Sequence, residues 1–100
     1  MIIRGGINIY PSEIEDVLMR LPAMQECAVL GVPDPDMGEV VACAWVATQD
    51  FTPEALAAHC RGQLSPYKVP TRWLRLDALP VNSGGKVVKA ALRERLSSST

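Results

Sequence analysis

A single histidine, aromatics at 5% of residues and an odd three cysteines leave this 100-residue chain poor in the groups that build self-contained active sites. The one histidine, His59, stands beside Cys60, but neighbours on a helix point about 100° apart, so they do not form a dyad. No nucleophile, base and oxyanion set can be assembled from the sequence. Cys27, Cys43 and Cys60 sit in apolar or helical patterns without the close pairs of a zinc site, which predicts buried thiols in a reducing, cytoplasmic setting. Asp34, Asp36 and Glu39 fit turn bonding better than a metal cage, so no metal site is expected.

Long apolar runs are missing too. Nothing approaches the roughly 18 uninterrupted apolar residues of a membrane span, and the opening residues run straight into Gly5-Gly6, unlike a signal peptide. The net charge of -1 hides a division: residues 1 to 50 hold 8 of the 11 acids, residues 51 to 100 hold 8 of the 10 bases. A basic second half suits phosphate or an acidic face. Its lysines and arginines are spread over several elements with few aromatics between them, which argues against nucleic acid.

What is present is a 48% hydrophobic content, enough for one modest core at this length. Met1-Ile2-Ile3 and Ile7-Asn8-Ile9 read as short extended pieces around Gly5-Gly6. Ile14, Val17, Leu18 and Leu21 repeat at helical spacing. That helix begins at Pro11 in position N1 or, through a Ser12/Glu15 capping box, one or two residues later, and Pro22 stops it. Cys27 to Val32 reads as a strand and Pro33 to Gly38 as a fixed turn. Val40 to Ala47 is then a central strand, its lack of polar alternation implying a sheet covered on both faces. Thr52 caps a second helix with Pro53 at N1, running to about Leu64. Ser65 to Pro70 is a rigid basic linker, Arg72 to Leu76 an alternating strand, and Val88, Ala91, Leu92 and Leu96 one face of a last helix. Lys89, Arg93 and Glu94 are expected to face solvent there, and Ser97 to Thr100 to fray. Trp45 and Trp73 are expected in strand cores. The fold class is α+β: a small central sheet covered by helices, with an N-terminal short strand pair.

Two glycine loops stand out. Lys86 follows Asn82-Ser83-Gly84-Gly85 where a helical pattern begins; as a first-turn lysine, with Lys89 one turn on, it opposes the helix dipole unless an anion arrives. Exposed N–H groups and the ammonium together would suit phosphate or a carboxylate becoming an acyl phosphate. Gly5-Gly6 is either a plain hairpin turn with Asn8 as an Asx-type acceptor, or a place where a thin chain such as pantetheine lies along the backbone. Neither loop has the spacing of a Rossmann fingerprint or a Walker loop.

These segments together resemble the C-terminal domain of the adenylate-forming (AMP-forming) acyl-CoA synthetases. Arg4-Gly5-Gly6-Ile7-Asn8-Ile9-Tyr10-Pro11 with Glu13-Ile14-Glu15 is similar to one block of that family. Ala28 to Gly31 with Pro33-Asp34 and Gly38-Glu39, Tyr67-Lys68 with Pro70, and Leu79-Pro80 to Gly85-Lys86 are similar to the next three, in order. The resemblance implies two half-reactions, with ATP and CoA as co-substrates and Mg2+ in the complete enzyme: a carboxylic acid is joined to AMP, then the acyl group passes to CoA. It implies that Lys86 enters the site for adenylation, that Gly5, Gly6, Ile7 and Asn8 line the pantetheine path in a second pose, and that Lys68 organises the basic surface. It also implies a large N-terminal adenylation domain as partner, absent here, so that residues 1–100 alone are inactive. Departures are Val81 and Asn82 where arginine and threonine are common, Gly84 where serine or threonine is usual, glycines that would loosen the lysine loop, and Lys89 for a frequent arginine. The alternatives are a non-catalytic interaction module docking on a separate adenylation domain, and an unrelated α+β structural domain.

Overall fold

The apolar stretch around Val40 to Val46 becomes the middle of the sheet. The computed structural model, which describes residues 1–97, places β1 (Ile2–Arg4), β2 (Ile7–Ile9), α1 (Pro11–Leu18), β3 (Met24–Asp34), β4 (Gly38–Ala47), α2 (Pro53–Arg61), a 3-10 turn at Pro66–Lys68, β5 (Arg72–Arg75) and α3 (Lys89–Ser97) along the chain. The five strands follow the order β2-β1-β4-β3, with β5 also on β4. β3 lies antiparallel along the whole of β4, while β5 runs parallel to it from Ala42↔Arg72 to Trp45↔Arg75. β1 meets β4 only at Arg4↔Gly38. This is the expected α+β order of elements.

Successive β4 side chains go to opposite faces, and both are dry. Val41, Cys43 and Trp45 join Ile2, Ile9, Ile14, Leu18, Val29, Leu56 and Cys60 beneath α1 and α2. Ala42, Ala44 and Val46 join Ala28, Leu30, Val32, Leu79, Leu92 and Leu96 beneath α3. Each fully buried leucine or isoleucine contributes about 1.5–3 kcal/mol, so the two clusters supply the drive that this short chain needs. β5 carries its alternation differently from a half-solvated strand: Trp73 packs on the first cluster, Leu74 and Leu76 on the second, and one arginine shares each face. Arg72 Nη1 donates to the Leu96 carbonyl at 3.4 Å, and Arg75 lies 5.4 Å from the Trp45 ring. Trp45 is 2% exposed, whereas Trp73 is only half-buried.

Helix starts follow local chemistry with one exception. Thr52 Oγ1 accepts from the Ala55 N–H at 3.1 Å with Pro53 just inside, as expected, although the helix stops at Arg61 and not near Leu64. α1 begins at Pro11 with Tyr10 as an N-cap lacking a side-chain bond, so the Ser12/Glu15 capping box does not form. The reason is tertiary: Glu15 Oε2 accepts instead from the Val29 N–H of β3 at 2.9 Å.

β3 also runs further than expected, through Pro33 and Asp34. In its register Val29 turns its N–H and C=O away from β4, and Pro33, four residues on, does likewise, so the missing N–H costs β3 no sheet bond. The turn is therefore confined to Pro35–Met37. Asp34 Oδ2 accepts from the N–H groups of Asp36 (3.1 Å) and Met37 (2.8 Å), and Gly38 takes a φ of 82°. Ser97 is helical; the rest of the expected frayed end, 98–100, lies outside the described residues.

Candidate functional site

Gly5 and Gly6 have φ of 56° and 85°, both positive, and join Arg4 to Ile7 in a two-residue hairpin. That is the turn whose twist matches antiparallel strands and which favours glycine at both positions. The hairpin is rooted by Ile2 and Ile9 in the cluster under α1 and α2, and its tip is pinned by the Gly5 N–H donating to the Met37 carbonyl at 2.9 Å. The Ile3 N–H donates to Glu39 Oε1 at 3.0 Å. Asn8 sits in β2 opposite Ile3, outside the turn. Ile7 is 44% exposed, and a side chain at Gly6 would meet no atom within 4 Å. The tip thus presents bare backbone and one apolar side chain outward.

Lys86 is not a first-turn helical residue, because α3 starts at Lys89. The chain from Val81 to Val87 closes on itself instead: a bridge pairs those two residues and the Val88 N–H donates to the Pro80 carbonyl at 2.9 Å. Val88 is thereby held outside the helix. Lys86 therefore lies three residues before the helix and does not share a turn with the N–H groups of its start. The loop is also not loose. Asn82 Oδ1 accepts from the N–H groups of Gly84 (2.9 Å) and Lys86 (3.1 Å), the Asn82 N–H donates to the Lys86 carbonyl at 2.9 Å, and Gly85 takes a φ of 81°. In the sequence Asn82 reads only as a departure from threonine, yet Asn82-Ser83 followed by Gly84-Gly85 is itself an Asx-turn signal.

The Lys86 side chain is exposed, and its ammonium has no hydrogen bond or ion pair among the described residues. Other bases of the second half are spent within the fold. Lys68 Nζ is 2.8 Å from Glu13 Oε1 and 5.7 Å from the Tyr67 ring, and the Glu13 bond holds its pKa above the usual lysine value. Arg75 pairs with Asp50. Lys89 and Arg93, expected to face solvent, reach the outer edge of β3: Lys89 Nζ donates to the Val29 carbonyl at 2.9 Å with Glu15 Oε2 at 3.7 Å, and Arg93 Nε donates to the Gly31 carbonyl at 3.0 Å. Glu15 offsets the charge that Lys89 brings to the start of α3.

The two candidate segments are not brought together. The hairpin is rooted under α1 and α2, while Leu79 and Val87, flanking the lysine loop, pack on the cluster under α3. A recess of about 360 Å³ between α2 and β5, lined by Pro53, Glu54, Ala57, Arg61, Pro70, Thr71 and Trp73, contains neither.

His59 and Cys60 are structural. His59 Nε2 donates to the Val17 carbonyl at 2.8 Å, tying α2 to α1, and Cys60 is buried. Burial is the main cause that pushes the Cys60 thiol up to about 11, Cys27 to about 12 and Cys43 upward as well, so none is an activated nucleophile at neutral pH. Among the described residues no three His, Cys, Asp or Glu side chains are gathered as metal ligands, and no helix is long and apolar enough to cross a membrane.

Residues 13–86 match the model of the AMP-binding enzyme C-terminal domain. The chain is 40% identical over 100 residues to the long-chain-fatty-acid–CoA ligase FadD13 of Mycobacterium tuberculosis, covering 99% of this chain and 20% of that protein. It is 42% identical over 98 residues to the putative acyl-CoA synthetase YngI of Bacillus subtilis, covering 95% and 18%. Among solved structures, a Mycobacterium tuberculosis fatty acyl CoA synthetase superposes with a TM-score of 0.90 at 40% identity, over 99% of this chain and 20% of that one. The amide bond synthetase McbA of Marinactinospora thermotolerans superposes with a TM-score of 0.88 at 38% identity, over 94% and 19%. The chain thus spans about one-fifth of the length of these relatives. Matching the family model over residues 13–86 and its relatives in sequence and backbone over nearly its whole extent, it belongs to the family of AMP-binding enzyme C-terminal domains.

Proposed function

We propose that residues 1–100 act as the C-terminal domain of an AMP-forming acyl-CoA ligase, working on a large N-terminal adenylation domain in the cytoplasm. The observation that carries this reading is Lys86: an exposed lysine without a partner among the described residues, on a loop whose backbone is held by Asn82, in a chain 40% identical to a fatty-acid–CoA ligase. In the first half-reaction a carboxylate oxygen attacks the α-phosphorus of ATP and the bond to pyrophosphate breaks. The Lys86 ammonium draws carboxylate and phosphate oxygens together and offsets the charge that builds on them. In the second, the CoA sulfur attacks the acyl carbonyl and AMP leaves. The Gly5-Gly6 tip, with Ile7 and Asn8, gives pantetheine a path along bare backbone. Mg2+ would enter with ATP; this chain gathers no donor set for it among its described residues, and no step here runs through the ion.

The two segments root in different core clusters, which suits a domain that offers one and then the other by turning as a body. The test grafts this chain in place of the corresponding fifth of the FadD13 relative, and measures acid-dependent pyrophosphate release and thioester formation. Restored turnover that Lys86→Ala lowers by about 100-fold in adenylation, with transfer from supplied acyl-AMP little changed, is the expected result. A graft that folds and docks but supports neither half-reaction would favour a non-catalytic interaction module.

A further inference from the structure

We propose that Asn82 is a positioning residue for Lys86, its side-chain carbonyl setting the direction in which the ammonium leaves the loop. The proposal rests on the adenylation role of Lys86 given above. Both backbone groups of Lys86 are bonded to Asn82: its N–H donates to Asn82 Oδ1 at 3.1 Å and its carbonyl accepts from the Asn82 N–H at 2.9 Å. The same Oδ1 takes the Gly84 N–H at 2.9 Å, and the Asn82 carbonyl takes the Gly85 N–H at 3.0 Å. One residue therefore holds four bonds across a five-residue loop, and the Cα–Cβ direction of Lys86 follows from them.

Division of labour inside the loop makes the idea testable. The backbone bonds, together with the Val81↔Val87 bridge, close the loop whatever side chain stands at 82, whereas the two bonds to Oδ1 fix the stretch from Gly84 to Lys86. Gly84 and Gly85 have little intrinsic preference to do so, since glycine visits both halves of φ space about equally. A long, flexible lysine is useful to a reacting phosphate only when its root is fixed, and a misplacement of about 1 Å can cost about 100-fold in rate.

The experiment has two arms. In the full 100-residue chain, amide hydrogen exchange is measured for Gly84, Gly85 and Lys86 in the wild type, Asn82→Ala and Asn82→Thr. Exchange at Gly84 and Lys86 is expected to quicken by about fivefold in Asn82→Ala with Gly85 unchanged, and to return partly in Asn82→Thr, whose hydroxyl is a weaker acceptor of the same kind. In the grafted ligase, Asn82→Ala is expected to lower adenylation by about tenfold while transfer from supplied acyl-AMP stays the same, with Asn82→Thr recovering most of the loss. Unchanged exchange in Asn82→Ala, or equal losses in both half-reactions, overturns the proposal. A wild-type graft without adenylation overturns the role of Lys86 instead, and the exchange arm still reads the geometry. Should Asn82→Ala fail to fold, Asn82→Ser, with a shorter acceptor, is read by the same two criteria.

Discussion

Replacing Gly6 by alanine tests whether the hairpin itself demands its glycines. At Gly6 the added methyl meets no atom within 4 Å, so the penalty is purely of the backbone. A φ of 85° lies beyond the left-handed well open to L-residues, and the cost is about 1–2 kcal/mol, lowered by the roughly 0.4–1 kcal/mol that alanine gains through a less disordered unfolded chain. The net expectation is a loss of about 1 kcal/mol. Gly5, at a φ of 56°, sits inside that well, but its methyl would come within 2.8 Å of Met37 Cε, the free end of a flexible side chain that must swing aside. Gly5→Ala should cost a similar amount for this mixed reason. Gly5→Asn brings the same Cβ against Met37 Cε but should cost less than Gly5→Ala, because Asn-Gly is the favoured pair for a two-residue turn of this hand. Urea unfolding followed by circular dichroism reads all three. With a slope of about 1–3 kcal/mol per molar urea, a loss of 1 kcal/mol moves the midpoint by roughly 0.3–1 M. Wild-type stability in Gly6→Ala, or Gly5→Asn as damaging as Gly5→Ala, would refute the turn argument and leave ligand approach as the reason for the glycines.

In the grafted ligase, Gly6→Leu should impair CoA-dependent consumption of supplied acyl-AMP by about tenfold or more and spare pyrophosphate exchange, because a branched side chain would project from the open tip into the pantetheine path proposed for it. Normal transfer there removes the CoA reading. Leu92→Ala, which empties a fully buried position under α3, should cost about 2–5 kcal/mol in chemical denaturation, whereas a loss below about 1 kcal/mol would mean that α3 is not packed as described. The thiols give a pH dependence of known sign. Cys27 and Cys60 rise in the fold from the ordinary 9.0 to about 12 and about 11, so their contribution is fully present below pH 9 and is lost as pH rises through the folded values. Urea midpoints taken from pH 8 to 11 should fall less steeply in Cys27→Ala than in the wild type; parallel slopes would contradict the burial.

Much of the fold was legible because it rests on local signals. Thr52-Pro53 names a helix start, the spacing of Ile14, Val17 and Leu18 names a buried face, and the unbroken apolar run of β4 names a strand covered twice. The failures share a cause: a side chain with a local use was taken up by a partner far along the chain. Glu15 has the spacing of a capping box but serves Val29, 14 residues away. Lys89 and Arg93 carry the polarity of a solvated helix face but bond carbonyls 60 and 62 residues upstream. Pro33 reads as a turn residue until the register shows that its missing N–H points away from β4. For the candidate site, the motifs named two glycine loops, while the setting of Lys86 required knowing that Val88 is bonded back to Pro80 and the helix is thereby delayed to Lys89.

The bonds along β3 bear on how this domain behaves in company. An outermost strand with free N–H and C=O groups is a template on which another chain can add a strand. Here Glu15 and Lys89 occupy the outward N–H and carbonyl of Val29, Arg93 occupies the carbonyl of Gly31, and Pro33 offers no donor at all. The guard is built from charge, so concentrated salt weakens it, and acylating the Lys89 amine would remove a member outright. Aggregation through this edge would then appear before any loss of the core, making the amine chemistry of α3 a determinant of solubility more than of folding.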